Sequence, residues 1–92
     1  MENLDIMITE QEQFLQELLQ RMRSGAAKFR YYKADGSLRE AIGTLSPAII
    51  PADKMPKGGT NPAAQYGYIA YFDVERQDWR QFLAKNLLWY EL

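Results

Sequence analysis

The sequence predicts a single α+β domain, mainly β, in which an N-terminal helix packs on a small five-stranded β-barrel. Three observations lead there. A chain of 92 residues has the length of one domain. One apolar stripe at helical spacing lies near the N-terminus. Behind it come five short strand-like segments separated by turn signals, most of them close neighbours in sequence. Five strongly bent strands under a capping helix can close on themselves, which removes exposed sheet edges.

The helix is expected over 10–23. Thr9, Glu10, Gln11 and Glu12 fit a capping box, in which the Thr9 hydroxyl and the Glu12 carboxylate each satisfy the other residue's backbone N–H. Phe14, Leu15, Leu18, Leu19 and Met22 then fall on one face. Acids stand in the first turn and Arg21 and Arg23 in the last, as the helix dipole favours. Gly25 can supply a left-handed C-terminal residue. One amphipathic helix cannot bury its own stripe, so it must lie on the sheet or on a partner.

Strands are expected over 27–34 and 38–45, joined by Asp35-Gly36. That dipeptide is the signal for a two-residue type I′ turn, which needs positive φ at both positions. Such a loop pairs Tyr32 with Arg39 and Phe29 with Ile42. One face then carries Phe29, Tyr31, Leu38, Glu40 and Ile42. The other carries Lys28, Arg30, Tyr32 and Arg39, a basic face with an aromatic in it. Gly43 inside a strand predicts a bulge or bend. Residues 46–65 hold all four prolines and read as one long loop, with Ile49 and Ile50 pinning one end. Further strands are expected over 66–73, 79–83 and 87–92.

Composition excludes several functions. Leu, Ile, Val and Phe make up 21 of 92 residues, enough for one core. There is no cysteine and no histidine, so disulfides, thiolate metal sites and a histidine base are excluded. Ser24, Ser37 and Ser46 lie near turns with no histidine to activate them. No group of oxygens converges for a metal. We therefore expect no enzyme, no cofactor and no metal. No apolar run reaches the ~18 residues of a membrane span, and Met1–Ile8 has no basic n-region; a cytoplasmic module is the expectation. The net charge of −1 hides an acidic segment at 1–20 and a basic one at 21–57. The basic middle either attracts an anion or is neutralised by the acidic N-terminus.

The candidate binding residues are Lys28, Arg30, Tyr32 and Arg39 on the hairpin, with Trp79 and Arg80 on the fourth strand. Aromatics beside arginines on a barrel surface stack bases and hold phosphates. The structural alternative has Trp79 or Phe82 filling the barrel and Arg39 or Arg80 paired with Asp73 or Glu40.

Three stretches together, FRYYKADGSLREAIGTL (29–45), YFDVERQDWRQF (71–82) and NLL (86–88), resemble a family of short bacterial proteins, mostly from Bacteroidetes. The family is described as WYL-like with an Sm-like SH3 β-barrel fold. The resemblance implies that the five strands form an Sm/SH3-like barrel. It brings no activity. Related WYL modules of transcription regulators are thought to sense ligands or nucleic acid, which implies a regulatory binding role. Two expectations follow: a non-enzymatic module binding nucleic acid or an anionic ligand through the basic hairpin face, or a protein-interaction or self-association module acting through an exposed edge strand.

Overall fold

Residues 2–8 contain no glycine or proline, so nothing there breaks a helix. In the computed structural model, which describes residues 2–56 and 66–88, helix α1 accordingly runs Glu2–Ser24. The Thr9–Glu12 capping box thus lies within the helix and does not start it. A pattern of Thr followed three residues later by Glu also fits a helix interior, and the residues before it decide between the two. The expected stripe is the buried face. Leu18 and Met22 are wholly enclosed, and Phe14, Leu15 and Leu19 pack partly against the core.

The helix ends without a left-handed glycine, since Gly25 has no positive φ. Thr44, at the far end of strand β2, does the capping instead. Its hydroxyl hydrogen is shared between the carbonyls of Gly25 (2.6 Å) and Met22 (3.2 Å), and the Leu45 N–H also reaches the Met22 carbonyl at 2.8 Å. These are carbonyls that a helix end leaves unpaired. The Thr44 oxygen in turn accepts the Ser46 N–H at 3.0 Å. Thr44 is fully buried, so this one side chain joins helix, sheet and loop.

Strands β1 (Ala26–Tyr32), β2 (Leu38–Thr44), β3 (Tyr68–Asp73) and β4 (Asp78–Leu83) form an antiparallel sheet in the order β1-β2-β3-β4. The first hairpin is one residue out of the expected register. Tyr31 stands opposite Arg39, Arg30 opposite Glu40 and Phe29 opposite Ala41. The loop has three residues, Ala34 to Gly36. Lys33 N–H bonds the Ser37 carbonyl at 2.8 Å, and Gly36 N–H bonds the Lys33 carbonyl at 2.9 Å. Only Gly36 takes a positive φ, 87°, so a type I turn closed by a left-handed glycine replaces the type I′ turn. Asp35 takes part through its side chain, accepting both the N–H (3.0 Å) and the hydroxyl (2.6 Å) of Ser37. The slip of one residue moves Arg39 onto the same face as Phe29 and Tyr31 and sends Leu38, Glu40 and Ile42 to the other.

Strand β2 carries neither bulge nor inserted residue at Gly43, which pairs with Ala27 on one side and Asp73 on the other. The glycine is needed for space. A Cβ there would lie 2.7 Å from Tyr71 Cδ2 and 2.9 Å from Phe29 Cε1. Those rings belong to a core of four aromatics. Phe29 meets Tyr71 edge-on at 5.0 Å, and Tyr31 stacks on Phe82 at 4.9 Å, both favourable spacings.

Within the long loop, Ile50 is buried and Ile49 is 39% exposed, so only the second isoleucine pins it. Residues 57–65 of the loop lie outside the described residues. After β4 a 3-10 turn, Ala84–Asn86, brings the chain back to β1: Leu87 bridges Tyr31, and Leu88 N–H bonds the Arg30 carbonyl at 3.0 Å. The described residues thus give a four-stranded sheet and one returning contact. The expected fifth strand, 87–92, falls beyond Leu88 outside the described residues.

Candidate functional site

The corrected register divides the six candidate residues. Lys28 and Arg30 lie on the outer face of β1, and Glu40 stands across from Arg30. Arg30 Nε donates to Glu40 Oε2 at 3.0 Å, and Lys28 Nζ is 3.5 Å from Oε1. The Arg30 hydrogen bond, and after it the Lys28 charge, hold the Glu40 carboxyl below the usual carboxylate range. The expected basic face of Lys28, Arg30, Tyr32 and Arg39 is therefore not one face. Two of its cations share a carboxylate, and Arg39 points to the opposite side.

The other four candidates come together. Tyr32, Arg39, Trp79 and Arg80 line one cleft of about 340 Å³ between the end of the first hairpin and strand β4. Lys33 and Tyr68 border the same space, and the buried rings of Tyr31 and Phe82 form its most enclosed part. Three cations thus reach it from the hairpin turn, β2 and β4. None of the described lining residues is acidic. Among the described residues, Arg39 and Lys33 make no ion pair.

Arg80 is held from behind. Its Nε lies 3.5 Å from Oδ2 of the buried Asp73 and has no hydrogen-bond partner. Asp73 Oδ1 is occupied by the N–H groups of Glu75 (3.0 Å) and Arg76 (3.1 Å), which it uses to fix the β3–β4 turn. The expected Arg80–Asp73 pairing is present, and Arg80 still borders the cleft. Trp79 lies outside the core of four aromatics, which Phe82 joins. Trp79 is half-buried, meets Phe72 edge-on at 5.7 Å, and donates Nε1–H to the Lys54 carbonyl at 2.7 Å. It therefore anchors the long loop at Lys54 while lining the cleft.

Sequence reasoning missed the floor. The Tyr31 and Tyr71 hydroxyls lie 2.8 Å apart in the core. Burial first, then the bond to Tyr31, pushes the Tyr71 phenol far above its ordinary value, so it stays protonated. The alternation of Tyr31 with Phe29, and Tyr71's place in an aromatic run, were visible; that the two hydroxyls meet depends on the fold. Of the other tyrosines, Tyr68 borders the cleft and Tyr66 is 70% exposed.

A four-stranded antiparallel sheet, packed against one helix and returned to β1 by a 3-10 turn, is matched over residues 15–88 by a family model described as WYL_2, Sm-like SH3 beta-barrel fold. The chain belongs to that family. The WYL_2 match spans the second half of α1, both hairpins and the returning segment, so every wall of the cleft lies within it. No curated protein and no solved structure matches the chain. Among the described residues no cluster of three or more acidic side chains is placed to hold a metal, and no helix is long and apolar enough to cross a membrane.

Proposed function

We propose that this WYL_2 domain is a non-enzymatic binding module for an anionic ligand, held in the cleft between the first hairpin and β4. One observation carries the reading: Lys33, Arg39 and Arg80 converge from three elements on a space with no described acidic lining residue. Arg80 is paired from behind with Asp73, so Lys33 and Arg39 supply the unbalanced charge, and cations in excess raise the local positive potential and select for anions. Tyr32, Tyr68 and Trp79 add flat surfaces for a planar group. The sequence has no histidine or cysteine to act as base or nucleophile.

The test is fluorescence anisotropy of labelled single-stranded DNA and RNA pools, run beside tryptophan-fluorescence titration with small aromatic phosphates and carboxylates, at low and moderate salt. Binding that weakens with salt and is reduced by Arg39→Ala, with Lys28→Ala unaffected, supports the cleft. No binding of any anion at low salt, where electrostatic attraction is strongest, overturns it. Self-association is the second reading. It rests on the outer edge of β4, which pairs with no strand among the described residues. Sedimentation velocity across a concentration series checks it, with a discrete oligomer as the expected result.

A further inference from the structure

We infer that the ligand of the cleft is a small planar aromatic acid, a ring system bearing one terminal carboxylate or phosphate, and not a nucleic-acid strand. This rests on the anion-binding reading above and goes further in naming the ligand.

The first argument is size. About 340 Å³ is at the lower end of small-molecule pockets, which run from roughly 300 to 1,000 Å³. The Asn86 side-chain amide donates to the Tyr32 carbonyl at 3.2 Å, tying the turn after β4 to the end of β1. A strand needs a groove that continues past each nucleotide, whereas a space of this size takes one small ring system.

The second argument is the layout of polarity. The most enclosed lining side chains, Tyr31 and Phe82, are aromatic, whereas Lys33, Arg39 and Arg80 are only partly buried. A flat apolar body enters against the rings, and its charged end stays with the cations at the rim. A polyanion would need the reverse, cations spread along a surface with the bases outside it.

The third is the tyrosine pair. Two hydroxyls carry two hydrogens, and the 2.8 Å bond between Tyr31 and Tyr71 uses one. Tyr71 is fully enclosed, whereas Tyr31 borders the cleft. The bond ties Tyr31 to the core and holds its ring as a fixed aromatic wall of the cleft, the pre-formed surface that a small-ligand site offers.

The experiment is isothermal titration calorimetry of the full chain with adenosine 5′-monophosphate and indole-3-acetate, with the uncharged adenosine and indole-3-acetamide, and with a 12-nucleotide single-stranded DNA lacking a terminal phosphate. At least one of the two aromatic acids is expected to bind in the micromolar range, and its neutral counterpart at least tenfold more weakly. Arg39→Ala is expected to weaken the acid about tenfold, in keeping with loss of one charge-assisted contact. Lys33→Ala, in the hairpin turn, is a second variant with little burden on folding. Tight binding of the 12-mer with neither acid bound overturns this inference and leaves the anion-binding reading standing. The salt slope separates the cases further, since a strand touching all three cations gives a log–log slope of about −2 and a single terminal anion a much shallower one. No binding of any probe at low salt overturns both.

Discussion

Gly43→Ala is the sharpest probe of how the core is built. The added Cβ falls 2.7 Å from Tyr71 Cδ2, 2.9 Å from Phe29 Cε1 and 3.1 Å from Met22 Sδ. The methionine tip can move, because its side chain is flexible. The two rings cannot move easily. Tyr71 and Phe29 are 0% and 1% exposed, they lie edge-to-face against each other, and the Tyr71 hydroxyl is tied to Tyr31. Overpacking of this kind costs ~1–3 kcal/mol. Replacing glycine with alanine in a strand returns about 0.5–1 kcal/mol through lost unfolded-state freedom. The net expectation is a destabilisation of about 1 kcal/mol, which lowers the Tm of a domain this size by roughly 4–8 °C. Urea denaturation followed by far-UV circular dichroism measures it. Gly25→Ala is the control, because a Cβ there meets nothing within 4 Å and is expected to change stability by less than ~0.5 kcal/mol. If the two variants unfold at the same urea concentration, the close approach of the rings to β2 is wrong.

Other consequences can be measured in the same way. Tyr31→Phe and Tyr71→Phe each strand one buried hydroxyl and are expected to cost ~1–3 kcal/mol; the double variant should cost clearly less than the sum, and additivity in a double-mutant cycle would count against the pair. Thr44→Val keeps the shape but removes the partner of the Gly25 carbonyl and of the Ser46 N–H, while the Met22 carbonyl keeps the Leu45 N–H, so a loss of about 1–3 kcal/mol in urea denaturation is expected. Trp79→Phe removes the bond to the Lys54 carbonyl and should speed limited trypsinolysis after Lys54; an unchanged cleavage rate would show that the loop is held by something else. The depressed Glu40 pKa gives a pH prediction. A carboxyl whose folded value lies below its unfolded value stabilises the fold fully above the unfolded value, near 4.5, and loses that effect as pH falls through the folded one. The Tm difference between the natural chain and Glu40→Gln should therefore be present at pH 7 and shrink as the pH falls below about 4.5. The group is exposed, so the difference is small.

Much of the architecture was legible because it depends on periodicity. The stripe from Phe14 to Met22 and the aromatic strands around Phe29, Tyr71 and Phe82 each announce a buried face, and the core is built from them. The register was not legible. Ala34-Asp35-Gly36 fits a two-residue loop and a three-residue loop equally well, since both want glycine last. The choice rests on Asp35 bonding Ser37 and keeping a negative φ. That single residue of slip decided the site. It took Arg39 away from Lys28 and Arg30 and delivered it to Trp79 and Arg80, residues some forty positions along the chain. Gly25 misled for a related reason: the helix end is satisfied by Thr44, a partner that sequence proximity does not reveal.

The tie between Asn86 and Tyr32 spans 54 residues, and Leu88 reaches back to Arg30. This sets an order of events during synthesis. The first hairpin is local and can pair once Thr44 has emerged, but the cleft has no second wall until about 44 further residues are made. At translation rates of about 5–20 residues per second, that delay is roughly 2–9 s. For most of it, Tyr31 and Phe29 wait without Phe82 to cover them, and for the earlier part without Tyr71 as well. A nascent chain stalled in this interval exposes two aromatic rings on a paired ribbon, which makes the interval the natural moment for a chaperone to engage it.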